Sequence, residues 1–315
     1  MLTMISNILK GAVLGLAMII PGVSGGTMAL VLGIYERLIR ALRGFSLSTL
    51  RIASGLLCGP EKKSRAATLW SSHDMSFLAV LLVGALLSIF AFSHLIEDLL
   101  STHPKPTYGF FFGLVAASII FPFRLAERKS MVELCCAVLA IGLAIALSTS
   151  RIDPSQSLEI DPYSLANCAR FAVCGILASS AMLLPGISGS FILLLLGIYY
   201  DVLSILNNRD YLLLSIFIGG CLLGLAIFSR LIHFLLNRYH SPTMAFLGGL
   251  MAGSLWKFWP FKDPASGYPS WPGAGEDSAG ISLLACLFAA AIIAAFACYD
   301  RKAKAKGTAD QSIGR

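Results

Sequence analysis

The sequence predicts an all-α polytopic membrane protein made of two inverted-topology repeats, each a re-entrant helical hairpin followed by three transmembrane helices. Three observations predict this fold class. Of the 315 residues, 57% are hydrophobic and only 13% are charged, and long uncharged runs recur along the chain. A helix-breaking Pro-Gly motif lies in apolar surroundings and occurs twice. Basic residues are concentrated in alternate loops, which is typical of the cytoplasmic side of a membrane protein.

The repeated motif is Pro-Gly-x-Ser-Gly, which begins at Pro21 and begins again, 164 residues later, at Pro185. Nine of the fifteen positions from Pro21 to Tyr35 are identical in the second copy, which ends at Tyr199. Weaker matches continue through the later spans, where the offset falls to 136 residues because repeat 1 carries an insertion. A match of this length predicts a structural unit that occurs twice.

Repeat 1, residues 1–150, opens with two short apolar segments on either side of the break. We predict a re-entrant hairpin over 8–42, because its first limb, 8–20, forms only about 20 Å of helix against a hydrocarbon core of about 30 Å. A basic insertion follows at 43–74. Apolar runs then predict three spans, at 76–99, 107–123 and 131–149.

Repeat 2, residues 151–300, follows the same order. The sequence predicts a broken hairpin over 171–206 and then three spans, at 211–236, 243–259 and 280–298. A basic segment, 301–315, ends the sequence and is predicted to be a cytoplasmic tail.

The predicted topology follows from the number of crossings and is tested by the charges. Three full crossings beside each hairpin are an odd number, so repeat 2 is expected to be inverted relative to repeat 1. The basic insertion, the loop 124–129, Arg238 and the tail then fall on one side, and the acidic loop 153–161 and the mixed loop 260–279 fall on the other. The positive-inside rule therefore predicts that both termini are cytoplasmic and that the two hairpins enter from opposite faces.

Composition argues against several other classes of function. A net charge of +7 is modest for a chain with basic cytoplasmic loops, so we expect no nucleic-acid partner. The eight cysteines form no Cys-x-x-Cys pair, and the five histidines show no metal-ligand spacing. We therefore expect neither a metal nor a cofactor.

The broken motif predicts a substrate site. An unwound backbone within a membrane is tolerated only inside protein or beside a water-filled cavity. The residues after each break begin a helix whose free N–H groups and positive dipole end favour an anion, and the hydroxyl groups add donors. Two such helix starts approaching from opposite faces predict an alternating-access site. The alternative is that the small residues only allow close helix packing. The predicted substrate-binding residues are Pro21, Gly22, Ser24, Gly25, Gly26, Thr27, Pro185, Gly186, Ser188, Gly189 and Ser190.

Charged residues near hairpin 1 extend this hypothesis. Arg37 and Arg40 are candidate phosphate ligands, although their position also fits the positive-inside pattern. Glu36 is a candidate for binding a coupling proton, and the alternative is a salt bridge to Arg40, four residues further on. Arg230 falls inside a predicted span, where snorkelling towards the membrane surface is the expected behaviour.

These motifs resemble the bacterial polyprenyl-phosphate transporter family, the PopT-type undecaprenyl-phosphate translocases that were long described only as a domain of unknown function. The resemblance is carried by the Pro-Gly-Val-Ser-Gly-Gly-Thr of 21–27, the Leu-Pro-Gly-Ile-Ser-Gly-Ser-Phe of 184–191 and the Gly-Ile-Tyr that follows each. It implies a multi-pass protein of the bacterial cytoplasmic (inner) membrane, whose partner is a polyprenyl-phosphate lipid. Undecaprenyl phosphate would be returned from the outer to the inner leaflet for reuse after cell-wall assembly. The insertion at 44–71 is poorly matched to the family and is assigned no role.

The residues alone leave two other functions open. A secondary transporter of a small soluble anion would use the same repeats but would wall its cavity off from lipid. A membrane lipid phosphatase would need clustered His, Asp or Arg side chains, whereas the hairpins offer mainly Gly, Ser and Thr. We therefore expect a protein that is not an enzyme, while the coupling ion and the oligomeric state stay open.

The topology gives a direct prediction. Single cysteines placed in 43–74 are expected to react with an impermeant thiol reagent only from the cytoplasmic side, and cysteines in 150–165 only from the outside, because three crossings separate the two segments. Labelling of intact and permeabilised cells measures this. Reaction of both segments from the same side would contradict the predicted inversion.

Overall fold

The computed structural model describes residues 2–19, 24–43, 74–127, 130–149, 163–263, 269–272 and 278–313. Pro21 and Gly22, most of the predicted insertion, the acidic loop 153–161 and part of the loop 260–279 lie outside the described residues. The described chain is helical apart from turns and one isolated β-bridge, between Lys262 and Pro269. Its helices are α1 (Leu2–Ile19), α2 (Gly25–Val31), α3 (Tyr35–Arg43), α4 (Met75–Thr102), α5 (Pro104–Ser118), α6 (Ile120–Leu125), α7 (Met131–Thr149), α8 (Leu165–Leu183), α9 (Gly189–Leu195), α10 (Tyr199–Asn207), α11 (Tyr211–Arg238), α12 (His240–Phe258) and α13 (Ser278–Ile313).

The predicted all-helical membrane architecture is confirmed. Five helical segments in the described residues are long and apolar enough to cross a membrane, and a sixth arises if the bent pair α9 and α10 counts as one span. The five are Met75–Thr102, Pro104–Leu125, Leu165–Leu183, Tyr211–Arg238 and Ser278–Ala295. Large apolar side chains on these segments point outwards, as expected of helices that face lipid; Phe90, for example, is 81% exposed.

Two predicted spans are not among these five segments: 131–149, which corresponds to the shorter apolar helix α7, and 243–259. The predicted span 243–259 corresponds to α12, where Met244, Leu247, Leu250 and Met251 are completely buried. A helix enclosed by other helices needs no continuous lipid-facing surface, so α12 tolerates a more polar composition than a lipid-facing span.

The predicted span 280–298 corresponds to α13, which continues as a helix to Ile313, so the helix runs on into the predicted tail.

The two hairpins are less simple than the sequence suggested. We define hairpin 1 as α1 to α3 and hairpin 2 as α8 to α10. The predicted first limb of 13 residues is wrong, because α1 contains 18 residues and reaches about 27 Å. The second apolar segment, 26–42 in hairpin 1, is predicted to form one half-helix, but each copy breaks again after a seven-residue helix, α2 or α9. The two parts of the second limb of hairpin 2 are bent by 109°.

A glycine in the left-handed region causes the second break in each hairpin. Gly33 has φ +65° and Gly197 has φ +67°. The Gly33 N–H donates to the Leu30 carbonyl at 3.0 Å, and the Ile34 N–H donates to the Ala29 carbonyl at 2.9 Å. Hairpin 2 repeats both bonds, and together they form the Schellman motif that ends a helix at glycine. The repeated Gly-Ile-Tyr was therefore a helix stop, which the hydrophobic pattern concealed.

The helices of the two halves recur in the same order with closely matched lengths. Helices α2 and α9 each have seven residues, α3 and α10 each have nine, and α4 and α11 each have 28. The repeat seen in the sequence thus extends to the helical elements of the structure.

Small residues bring the first helix of each hairpin against the long helix that follows it. A Cβ atom added at Gly11 of α1 would lie 2.2 Å from the Leu81 carbonyl oxygen of α4, and one added at Gly220 of α11 would lie 2.3 Å from the Ala172 carbonyl oxygen of α8. Gly15 faces Ser88 in the first pair of helices, whereas Ser179 faces Gly224 in the second. The two helix pairs therefore make the same glycine–serine contact, but the glycine and the serine have exchanged helices.

The described helices form two compact units, Met1–His94 with Phe121–Ser254, and Leu95–Ile120 with Leu255–Arg315. Within the first unit, α12 of the second half packs on α7 of the first half, where a Cβ added at Gly249 would lie 2.4 Å from the Ala137 carbonyl oxygen. Within the second unit, α5 of the first half packs on α13 of the second half, with Gly113 against the Cys286 carbonyl. The last helix of each half therefore packs on a helix of the other half.

Adjacent glycines in α11 provide a test of this packing. Gly220→Ala is expected to destabilise the protein by about 1–3 kcal/mol, because its Cβ would meet the Ala172 carbonyl oxygen at 2.3 Å. Gly219→Ala is the matched control, since no atom lies within 4 Å of its added Cβ. Thermal unfolding in detergent should show a lower Tm for the first variant only, and equal stability of the two would contradict the close approach of α8 and α11.

Candidate functional site

The start of α2 in hairpin 1 contacts the break of hairpin 2. Ser24 lies at the N-cap of α2, and its Oγ donates to the Leu184 carbonyl at 3.0 Å. In the reverse direction, the Gly186 N–H donates to Thr27 Oγ1 at 2.9 Å. Both hydroxyl-bearing residues are buried, at 3% and 2% exposure. The two predicted motifs, which are 164 residues apart in sequence, are thus hydrogen-bonded to each other.

Tyr35 adds a third bond to this contact, and glycine makes the approach possible. The buried Tyr35 hydroxyl donates to the Leu183 carbonyl at 3.1 Å. A Cβ added at Gly26 would lie 2.9 Å from the same carbonyl oxygen, so a larger residue there would force the hairpins apart. Hairpin 1 therefore uses side chains to satisfy backbone groups that the break in hairpin 2 leaves without helical partners.

The break in hairpin 2 is enclosed by protein. Pro185 is among the most deeply buried side chains, and Gly186 adopts φ +85°. A Cβ at Gly186 would lie 2.6 Å from the Leu250 carbonyl oxygen of α12, so this position requires glycine both for its conformation and for its space. The burial satisfies the requirement that an unwound backbone at membrane depth be covered by protein or face a cavity.

The two motifs differ in how their hydroxyl groups are used. In hairpin 1, Ser24 Oγ also accepts from the Gly26 N–H at 3.2 Å and so caps its own helix. In hairpin 2, Ser188 occupies the equivalent N-cap position but makes no side-chain capping bond. Its Oγ lies 2.8 Å from Ser190 Oγ, and Ser190 is exposed. The accessible hydroxyl pair of the candidate site therefore belongs to hairpin 2.

The charged candidates of hairpin 1 have partners that the sequence did not reveal. Arg37 forms a bidentate ion pair with Asp74, at 2.6 and 3.0 Å, and its guanidinium lies 4.1 Å from the centre of the Phe77 ring. Glu36 Oε1 lies 3.1 Å from His240 Nε2, so its partner in the structure is the first residue of α12 and not Arg40. Among the described residues, Arg40 forms no ion pair and is exposed.

A polar cavity of about 760 Å³ lies at the N-terminal end of α8, the opposite end of this helix from the break. Arg170 and Asp201 form an ion pair of 3.1 Å in its wall, and Tyr163 donates a hydrogen bond to Asp210 at 3.0 Å. Asp210 raises the pKa of the exposed Tyr163 phenol by accepting this bond and by its negative charge. Sequence reasoning missed Arg170, whose partner Asp201 is equivalent by repeat to Arg37.

These features define the class of the protein. Paired, broken helical hairpins that meet through buried hydrogen bonds, in a chain with several apolar membrane-span helices, are characteristic of polytopic membrane transporters. The comparison with known families agrees with this class: the family model described as VCA0040-like, undecaprenyl phosphate translocase-like, matches residues 14–272. The chain belongs to this family.

Two curated relatives support the assignment along most of their length. The polyprenyl-phosphate transporter of Vibrio cholerae is 38% identical over 264 residues, which cover 83% of this chain and 80% of the relative. The polyprenyl-phosphate transporter of Staphylococcus aureus is 31% identical over 263 residues, which cover 81% of this chain and 86% of the relative. No solved structure gives a significant match to the chain.

The contact between the hairpins predicts a specific loss of stability. Thr27→Val keeps the shape of the side chain but removes the acceptor for the buried Gly186 N–H, which costs about 1–3 kcal/mol. Ser190→Ala is the control, because it removes only the bond between Ser188 and Ser190 at the surface. Thermal unfolding in detergent should therefore show a lower Tm for Thr27→Val. A Thr27→Val protein as stable as the control would argue against this hydrogen bond.

Proposed function

We propose that the protein moves undecaprenyl phosphate, a polyprenyl-phosphate lipid carrier, from the outer to the inner leaflet of the bacterial cytoplasmic membrane for reuse. The transport would proceed by alternating access at the two hairpins, arranged in inverted-topology repeats with both termini cytoplasmic. The family and the names of the two relatives support the class of cargo. The observation that carries the proposal is the hydrogen-bonded contact between the two motifs. Beside it lie the hydroxyl groups of Ser188 and Ser190, which bond to each other and do not cap their helix.

In this proposal, Ser188 and Ser190 make the first contact with the phosphate. Their oxygens lie 2.8 Å apart, so both hydroxyls can turn from each other to donate to oxygens of one phosphate group. Hydrogen bonds to a charged acceptor contribute about 1.5–3 kcal/mol each, more than the neutral bond that they replace. The backbone around Gly189, in the first turn of α9, would supply the adjoining N–H donors.

The hydroxyl-bearing residues of hairpin 1 hold the hairpins together in the conformation described. Ser24 and Thr27 are bonded to the backbone of residues 184 and 186, so they become donors to a phosphate only when the hairpins separate. Pro21, Gly22, Gly25 and Gly26 would then form the second half of the site. An exchange of partners between backbone and phosphate is the step we propose for alternation between the two faces.

The short helices change the expected electrostatics. Since α2 and α9 contain only seven residues, the attraction for an anion comes mainly from hydroxyl groups and first-turn N–H groups and not from a long helix dipole. A basic side chain that can reach the phosphate is therefore more important for binding than the sequence indicated. We propose that Arg40 supplies it, while Arg37 becomes available only if its bond to Asp74 breaks.

Glu36 remains the candidate for proton coupling. Its carboxylate faces His240 across 204 residues of sequence, which links α3 of hairpin 1 to the start of α12. Binding of a proton by Glu36 would remove the negative charge that holds His240 when the imidazole is protonated. We propose that this release accompanies movement of hairpin 1.

The exposure of the hydroxyl pair favours a lipid cargo over the alternatives. A transporter of small soluble anions needs its ligand groups enclosed, whereas Ser190 lies at the surface of the protein. A phosphatase needs a nucleophile activated by a base, whereas Ser188 and Ser190 hydrogen-bond to each other. A headgroup that enters sideways, with its chain left in the bilayer, fits this arrangement.

The test is transport of undecaprenyl phosphate between leaflets of liposomes that contain the purified protein, with and without a proton gradient. Ser188→Ala with Ser190→Ala should slow transport about tenfold or more, because the loss of one charge-assisted bond alone accounts for about 1.5 kcal/mol. Ser215→Ala is the matched control, since Ser215 is an exposed serine of α11 that donates only to its own helix.

A bulkier change tests the space at both motifs. Ser24→Leu or Ser188→Leu should abolish transport while expression and membrane insertion persist. Normal transport in the Ser188 variants, at equal protein content and with the unaltered protein active, would contradict the proposed site. Absence of transport by the unaltered protein would contradict the proposed function itself.

A further inference from the structure

A second cavity, of about 600 Å³, lies at the C-terminal end of α11. The 28 residues of α11 extend about 42 Å, and Tyr211 to Leu213 at the other end line the polar cavity described above. We call the second cavity the basic groove. Its lining residues are Arg43, Arg230, His233, Phe234, Asn237 and Arg238.

Positive charge in the basic groove is collected from two helices. Residues 230, 233, 234, 237 and 238 recur at helical spacing, so they share one face of α11. Arg43 comes from α3, which packs on α11, so the two helices bring their basic residues to one cavity. Asn237 Nδ2 lies 2.9 Å from His233 Nε2.

Among the residues that the structure describes, no carboxylate lines the basic groove or forms an ion pair with its arginines. Arg37 and Arg170 each form an ion pair with an aspartate, but Arg43, Arg230 and Arg238 form none with a described residue. Like charges that share a site repel each other, so their convergence needs another explanation. A bound anion would supply the missing negative charge.

The depth of Arg230 argues for the same explanation. It lies eight residues before the end of α11, which places its Cα about 12 Å from that of Arg238 along the helix axis, towards the middle of the span. Arginine within a span is costly and commonly marks the path of a charged substrate. Snorkelling accounts for one long side chain that reaches the membrane surface, but it does not account for the meeting of Arg230 with Arg43 and Arg238 in one cavity.

One wall of the groove is suited to lipid. Phe234 lines the cavity and is 58% exposed, and the neighbouring Leu231 is 46% exposed. Large apolar side chains that remain exposed in a membrane protein face the hydrocarbon region. A ligand in the basic groove can therefore keep an apolar chain in the bilayer while its headgroup contacts the arginines.

We propose that the basic groove binds the phosphomonoester headgroup of a membrane lipid, as the site from which the cargo leaves. This inference rests on the proposed function, and it places the groove at the face where the charge pattern predicts the cytoplasm. A phosphomonoester carries nearly two negative charges near neutral pH, and guanidinium groups bind its oxygens in pairs. A phosphodiester lipid carries one charge and offers fewer free oxygens, so it should bind more weakly.

The experiment compares two lipids on the full-length protein in detergent by native mass spectrometry. The probes are phosphatidic acid, a phosphomonoester, and phosphatidylglycerol, a phosphodiester with similar chains. Phosphatidic acid should bind at least tenfold more tightly, and Arg43→Gln with Arg230→Gln should remove this preference. Arg124→Gln is the control, because it also removes an exposed arginine but lies outside the groove. Arg230→Lys should recover only part of the preference, since lysine lacks the planar fork of donors.

A measurement on the unaltered protein covers the case in which the double variant does not fold. Phosphatidic acid should protect Arg230 from modification by phenylglyoxal, mapped by peptide mass spectrometry, while Arg124 stays reactive. Equal binding of the two lipids, an unchanged preference in the folded double variant, or no protection of Arg230 would overturn the assignment. Absence of undecaprenyl-phosphate transport by the unaltered protein would instead contradict the proposed function. Failure of the groove assignment can thus be told apart from failure of the proposed function.

Discussion

Backbone N–H and C=O groups that lie outside a helix and away from water need hydrogen-bond partners. This requirement determines how the two hairpins contact each other. Hairpin 2 is broken at Pro185 and Gly186, and the groups freed there find partners on hairpin 1: Thr27 accepts from an N–H, while Ser24 and Tyr35 donate to carbonyls. Each buried group left without such a partner costs about 1–3 kcal/mol. The conformation of hairpin 2 therefore depends on hairpin 1. Glycine is required at position 26 because hairpin 1 approaches the backbone of hairpin 2 there, and at position 186 because of its positive φ and the nearby Leu250 carbonyl of α12.

The same contact makes two similar motifs chemically different. The hydroxyl groups of hairpin 1 are buried and occupied, whereas Ser188 and Ser190 bond only to each other at a partly exposed helix start. In the proposed alternation, this difference lets a cargo meet the accessible hydroxyl groups of hairpin 2 before those of hairpin 1 are released. The unequal use of the hydroxyl groups in the two motifs supports the proposed sequence of contacts, first at hairpin 2 and then at hairpin 1.

The sequence was a good guide to what repeats and a poor guide to how helices end. Composition and the recurring Pro-Gly motif were enough to predict an all-helical membrane protein, and the family resemblance was confirmed. The stop at Gly33 and Gly197 was missed because the residues on both sides are apolar, so periodicity continues across the break while the left-handed glycine ends the helix. Partners distant in sequence were also missed, among them Asp74 for Arg37 and His240 for Glu36. Ion pairs of this kind depend on tertiary packing, which leaves no local signal, and the roles proposed for these residues stay predictions.

The packing of α7 on α12 and of α5 on α13 bears on how such a molecule can arise and assemble. Residues 1–150 alone would leave α5 and α7 without the helices that cover their small-residue faces. Each half on its own would therefore expose helix faces that the other half covers, a reciprocal exchange of the kind seen in domain-swapped dimers. A single-copy ancestor with this architecture would have worked as a pair of chains, and fusion of duplicated genes would have joined partners that were already interlocked.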